Sequence, residues 1–141
     1  MKVTLHYDKA LRFIGKNSSG LETYFDTSVA GGGLNSAPSP VESVALSTAA
    51  CTSMDVIGIV GKRRKQIDQF NVDVEYERAE EHPKVITKLH MDFAVVSPDL
   101  TQDELEKAIT LSQDKYCTVS IMVQRSGCVI TWSATIIRPS V

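Results

Sequence analysis

Apolar and polar residues alternate in several short blocks and recur at helical spacing in two longer ones. Residues 2–6 and about 21–26 read as strands, with a turn at Lys16-Asn17-Ser18-Ser19-Gly20 between them. The segment Ala30 to Pro38, with Gly31-Gly32-Gly33 inside it, is rich in breakers and reads as a loop. Ser39-Pro40-Val41-Glu42 then opens a helix. Ser39 suits the N-cap, Pro40 the first helical position, and Glu42 completes a capping box. Val41, Val44, Ala45, Thr48, Ala49, Thr52, Val56, Ile59 and Val60 follow at helical spacing. The helix is expected to stop near Gly61, where the run Lys62-Arg63-Arg64-Lys65 meets the negative end of the helix dipole. Many of its residues are small (Ser43, Ala45, Ser47, Ala49, Ala50, Ser53, Gly58), which predicts a central, buried element.

Phe70, Val72, Val74 and Tyr76 alternate with Asn71, Asp73, Glu75 and Glu77, and Val85 to Val95 repeats the pattern. The polar link Arg78 to Pro83 makes these two strands an antiparallel hairpin. After the break at Ser97-Pro98, Thr101-Gln102-Asp103-Glu104 is a second capping box. Leu105, Ala108, Ile109, Ser112 and Tyr116 give that helix its inner face, and Cys117-Thr118-Val119-Ser120 starts one further turn or two. Cys128, Ile130, Trp132, Ala134 and Ile136 share one face of a last strand. Strands grouped apart from helices predict an α+β fold with a mainly antiparallel sheet.

At 141 residues the chain is expected to be a single domain over 1–141, long enough to form a core without covalent staples. Fifteen basic against 17 acidic side chains leave a net charge of −2, which argues against a nucleic-acid partner. The longest purely apolar run, Val56 to Val60, is far short of the roughly 20 residues a membrane span needs. The first residues alternate like a strand and lack the apolar stretch of a signal peptide, so a cytoplasmic location is expected.

Three cysteines remain as candidate chemistry: Cys51, Cys117 and Cys128. Their odd number and wide spacing do not form a disulfide framework, and neither Cys-x-x-Cys nor a metal-ligand spacing with His6, His82 or His90 occurs. Cys51 lies deep in the first helix, either as a small buried hydrophobe or as a reactive thiol needing a cation from elsewhere. Asp55, one turn on, opposes its ionisation if close. Cys117 sits where a new helical turn can begin, so free backbone N–H groups would favour its thiolate. Cys128 alternates with Ile130 and Trp132 and reads as core. The Gly31-Gly32-Gly33 loop lacks the Gly-Lys-Ser/Thr ending of a phosphate cradle, and no Gly-x-Ser-x-Gly marks a serine hydrolase.

Ser39-Pro40-Val41-Glu42, the stretch Ala50-Cys51-Thr52-Ser53-Met54-Asp55-Val56 and the stretch Tyr116-Cys117-Thr118-Val119-Ser120 together resemble the OsmC-like family, which includes the organic hydroperoxide resistance proteins. Glu77 to Pro83 and Leu111 to Cys117 resemble its less studied branch. The resemblance implies an intertwined homodimer, with mainly antiparallel sheets around two long central helices and two active sites at the interface. It implies that Cys51 is the peroxidatic thiol and Cys117 the resolving thiol, that organic hydroperoxides are reduced to alcohols, and that a lipoyl-type or small dithiol is the reductant, with no bound cofactor or metal. Family members place a supporting glutamate just before the central helix. Here Val41 takes that place and Glu42 follows one position later, a turn of about 100° on a helix. Arg12 is the nearest candidate for the supporting arginine.

Two other readings compete with the peroxidase. One is a dimeric OsmC-like module binding small apolar or electrophilic molecules. The other is a hot-dog thioesterase, in which Glu42 or Asp55 would act and neither cysteine would matter.

Overall fold

A computed structural model describes residues 1–140, and they divide into two compact units, Met1–Val44 and the chain from Ala45 onward. In the first unit β1 (Thr4–Lys9), β2 (Arg12–Lys16) and β3 (Glu22–Phe25) form an antiparallel sheet in the order β1-β2-β3. The strands expected at 2–6 and 21–26 are β1 and β3. Strand β2 escapes the sequence pattern because Ala10-Leu11, which carries no glycine, proline or asparagine, turns the chain, with Ala10 at φ 51°. The second turn is the expected one: Asn17 Oδ1 accepts from the N–H groups of Ser19 and Leu21, each at 3.0 Å, and Gly20 takes φ +79°.

The glycine-rich loop closes around a carboxylate of its own. Asp26 is 2% exposed and accepts four hydrogen bonds, from the N–H groups of Thr27 (2.8 Å), Leu34 (3.2 Å) and Ser36 (3.1 Å) and from the Ser36 hydroxyl (2.5 Å). The loop can approach this closely because residue 33 is glycine. A Cβ there would lie 2.3 Å from the Thr27 carbonyl oxygen and 2.6 Å from Asp26 Oδ1. The N–H groups of the three glycines, which would cradle a phosphate, are spent on backbone carbonyls: those of Gly31 and Gly33 donate to Ser28 and that of Gly32 to Val29.

Helix α1 (Pro40–Lys62) runs through the division between the units. The expected capping box is present: the Ser39 N–H donates to Glu42 Oε2 at 2.7 Å and the Glu42 N–H to Ser39 Oγ at 3.2 Å. In the second unit, β4 (Gln69–Arg78), β5 (Ile86–Val96) and β6 (Val129–Ile137) form a sheet in the order β4-β5-β6. The expected hairpin is β4–β5, with Val74 opposite Met91. Strand β6 pairs parallel to β5, with Trp132 opposite Met91, so this sheet is mixed rather than antiparallel throughout. The crossover between β5 and β6 is helical, which returns the chain in the same direction.

That crossover is α2 (Gln102–Leu111), a π-turn (Ser112–Tyr116) and α3 (Thr118–Arg125). The Thr101–Glu104 capping box starts α2 as expected. Of the two long central helices expected, this chain supplies one of 23 residues, whereas α2 has 10. Leu105, Ala108, Ile109 and Ser112 are buried as read, but Tyr116 is 52% exposed. The π-turn is the cause. Its closing bond, from the Cys117 N–H to the Ser112 carbonyl at 2.8 Å, spans five residues and rotates Tyr116 off the inner face.

The core of this unit gathers Val56 and Val60 of α1, Leu89, Met91, Phe93 and Val95 of β5, and Leu105 and Ile109 of α2. Full burial of each such side chain stabilises by about 1.5–3 kcal/mol relative to exposure. Phe70 and Phe93 meet edge to face at 5.9 Å. Cys128 is buried in the same cluster, as read. Helix α1 is less enclosed than its small residues suggested. It buries Thr48, Thr52 and Val56, while Leu46, Met54 and Ile57 stay exposed. By length and composition alone it is apolar enough to cross a membrane, a property that counting uninterrupted apolar runs missed because Ser, Thr and Gly interrupt them.

Candidate active site

Cys51 and Thr52 are neighbours on α1, about 100° apart around the helix. Thr52 faces the core and is fully buried, while Cys51 on its flank is half-buried. Cys117 arrives from the far end of the π-turn and is the N-cap of α3, with φ −74° and ψ 97°. Its sulfur stands where a serine or aspartate oxygen usually caps a helix, and it accepts the Ser120 N–H at 3.3 Å. Cys117 is completely buried. The Thr52 hydroxyl reaches its sulfur at 3.3 Å, and the Cys51 side chain lies close enough to act on its ionisation. Two thiols 66 positions apart in sequence are thereby side by side.

Burial pushes the Cys117 thiol above the ordinary cysteine value, and the Cys51 side chain adds to that. The hydroxyl of Thr52 and the N–H of Ser120 act in the opposite direction, because both donate to the charged form. Around the pair lies a polar cluster in which Thr52, Gln113 and Ser120 are buried and Gln124 is exposed. Gln113 Nε2 donates to Thr52 Oγ1 at 2.7 Å, Ser120 Oγ to Gln113 Oε1 at 2.6 Å, and Gln124 Nε2 to Ser120 Oγ at 3.2 Å. Asp55 accepts the Ser112 hydroxyl at 2.7 Å and so fastens α1 to the π-turn.

Thr52, Gln113 and Ser120 were not singled out from the sequence. One signal was available: Leu105, Ile109 and Gln113 are spaced four apart, so an amide occupies an apolar-face position. Cys128 stays apart from the pair in the core, where burial pushes its thiol up. His6 and His82 are exposed, and His90 is held between the hydroxyls of Thr131 (2.7 Å) and Ser133 (3.1 Å). Among the described residues no three His, Cys, Asp or Glu side chains gather as metal ligands do.

The other two candidates lie in the N-terminal unit, each in a local network. Arg12 donates to Asp8 Oδ2 at 3.0 Å and to Ser36 Oγ at 2.6 Å, and its guanidinium lies 4.8 Å from the centre of the Tyr24 ring. Glu42 is the reciprocal partner of Ser39. The backbone N–H of Ser39, and after it the Ser39 hydroxyl, hold the Glu42 carboxyl below the usual carboxylate range.

A family model described as OsmC-like protein matches residues 32–133, which span both cysteine motifs. The chain belongs to the OsmC-like family. Within it, the chain is 31% identical over 126 residues to Protein YhfA of Escherichia coli K12, covering 89% of this chain and 91% of that one. The fold is also that of a crystal structure from Aquifex aeolicus VF5, at 27% identity and a TM-score of 0.83, over 99% of this chain and 97% of the other. It is shared more distantly with the organic hydroperoxide resistance protein OsmC of Legionella pneumophila, at 16% identity and a TM-score of 0.66, over 95% of each chain. The α+β architecture of two sheets and three helices is therefore an OsmC-like fold, related to that of hydroperoxide resistance proteins.

Proposed function

We propose that this OsmC-like chain is a thiol-dependent peroxidase that reduces organic hydroperoxides to alcohols. The observation that carries the reading is that the Cys51 side chain lies close enough to act on the Cys117 thiol, although the two come from different elements, both within the stretch the family model matches. Cys51 is the more accessible of the two and is the attacking thiol. Its thiolate takes the terminal oxygen of ROOH. The O–O bond breaks, the leaving alkoxide is protonated to ROH, and Cys51 becomes a sulfenic acid. Cys117 then attacks that sulfur, water leaves, and a Cys51–Cys117 disulfide forms. An external dithiol reopens it by exchange. Arg12 and Glu42 are proposed to support the site.

The functional form is proposed to be a cytoplasmic homodimer. The exposed side chains of Leu46, Met54 and Ile57 give α1 an apolar strip that a second copy would cover, and the two long central helices would then be one α1 from each chain.

The test is one equivalent of cumene hydroperoxide on the reduced protein, followed by mass-spectrometric mapping of all three cysteines. A rapid Cys51–Cys117 disulfide, reversed by dithiothreitol and lost in Cys51→Ser, is the expected result. Three unmodified thiols after long exposure would sink the proposal and leave a binding module.

A further inference from the structure

A directed chain of hydrogen bonds ends on one sulfur. It runs from Gln124 Nε2 to Ser120 Oγ (3.2 Å), from Ser120 Oγ to Gln113 Oε1 (2.6 Å) and from Gln113 Nε2 to Thr52 Oγ1 (2.7 Å). A hydroxyl has one hydrogen to give. Ser120 receives from Gln124 and gives to Gln113, and the Gln113 NH2 group faces Thr52. Thr52 is therefore an acceptor for Gln113 and keeps its own hydrogen for one of two acceptors. These are the Thr48 carbonyl at 3.0 Å and Cys117 Sγ at 3.3 Å. A neutral thiol is a weak acceptor, so the carbonyl holds the hydrogen while Cys117 is protonated. A thiolate is a charged acceptor and draws it across. The Ser120 N–H at 3.3 Å is a second donor at the start of α3. Thr52, Gln113 and Ser120 are all buried, so water does not compete for these bonds.

We propose that Gln113 and Thr52 are positioning residues that turn the Thr52 hydroxyl onto Cys117 when its sulfur carries charge, making Cys117 the leaving thiolate as an external dithiol reopens the Cys51–Cys117 disulfide. This rests on the disulfide of the proposed function. In the step, one thiolate of the reductant attacks Cys51 Sγ and forms a mixed disulfide there. The Cys51–Cys117 bond breaks and its electron pair leaves on Cys117 Sγ, where Thr52 and Ser120 receive it. The second thiolate of the reductant then attacks its own sulfur in the mixed disulfide. A cyclic disulfide departs, Cys51 leaves as thiolate, and the two protons of the dithiol end on Cys51 and Cys117. The exposure difference points the same way, because Cys117 is fully buried and Cys51 is not. The groups that act on Cys117 Sγ are Thr52 and the titratable Cys51 from α1 and Ser120 from α3.

The experiment uses disulfide made with diamide, so that it does not depend on peroxide chemistry. Brief treatment with 2-mercaptoethanol, acid quench and mass spectrometry should find the mixed disulfide on Cys51, with Cys117 free. In the reduced protein, the pH dependence of Cys117 alkylation should move upward by about 1–2 in Thr52→Val and Gln113→Leu, the worth of one charge-assisted bond. Thr52→Ser, which keeps the hydroxyl, should restore it. A mixed disulfide on Cys117, an unmoved titration in both variants, or no disulfide with diamide overturns the inference. The trapping experiment needs no variant and decides the matter if the variants misfold. Disulfide with diamide but none with cumene hydroperoxide would refute the peroxidase and leave this relay standing.

Discussion

Oxidation of the thiol pair is expected to stabilise the chain, and the size of the effect follows from the separation of the two residues. Cys51 and Cys117 close a loop of 66 positions. Restricting a loop of that length removes unfolded-state entropy worth about 4 kcal/mol at 25 °C. Against this stands the weakening of two native bonds, from the Thr52 hydroxyl and the Ser120 N–H to Cys117 Sγ, both 3.3 Å long. At about 0.5–1 kcal/mol each, they reduce the net gain to roughly 2–3 kcal/mol. The assay is urea unfolding of reduced and diamide-oxidised protein at one fixed chain concentration, because a dimer would make stability concentration-dependent. Cys128→Ala serves as the background for both samples, so that no third thiol can exchange. With a slope of about 1–3 kcal/mol per molar urea, the oxidised midpoint should rise by about 1 M or more. An oxidised midpoint equal to the reduced one, or below it, would refute the reasoning. It would mean that closing the bond strains the native state by as much as the loop entropy gives, so that the pair is not prearranged.

Three further outcomes are expected. The four donors on Asp26, with the Ser36 hydroxyl foremost, hold its carboxyl well below the usual range. The stabilisation is therefore complete above the unfolded pKa of about 3.9 and is lost as pH falls through the lower folded value. Thermal unfolding scanned from neutral to strongly acid pH should show Asp26→Asn less stable than wild type at neutral pH, with the difference narrowing in acid. Gly33→Ala should destabilise the N-terminal unit by about 1–3 kcal/mol or more, read from the shift of its thermal transition, because the new Cβ meets the Thr27 carbonyl at 2.3 Å. An unchanged transition would mean that the loop reshapes freely. Cys128→Ala should leave peroxide turnover unchanged, and a loss of activity would show that the core thiol takes part in the chemistry.

Much of this molecule could be read locally. The Ser39–Glu42 and Thr101–Glu104 capping boxes, the α1 spacing and the β4–β5 alternation are visible because helix caps and side-chain periods are set by residues within a few positions of one another. Cys51 and Cys117 stood out through their neighbours, Ala50 to Val56 and Tyr116 to Ser120, whose resemblance pointed to the family whose model matches residues 32–133. What escaped was decided by backbone geometry or by distant contacts. Strand β2 hides behind a turn with no turn residue, and the direction of β6 depends on the crossover rather than on its own composition. The π-turn inserts one residue into a helical repeat, so the phase carried forward from Leu105 puts Tyr116 inside when it is exposed. The same insertion sets Cys117 at the head of α3, within reach of Thr52 and of the Cys51 side chain. Residue type and local spacing thus determined which groups could do thiol chemistry. Only the packing of α1 against the π-turn decided that the Thr52 hydroxyl meets the Cys117 sulfur, because a hydrogen bond spanning 65 positions exists only once the chain between them has folded.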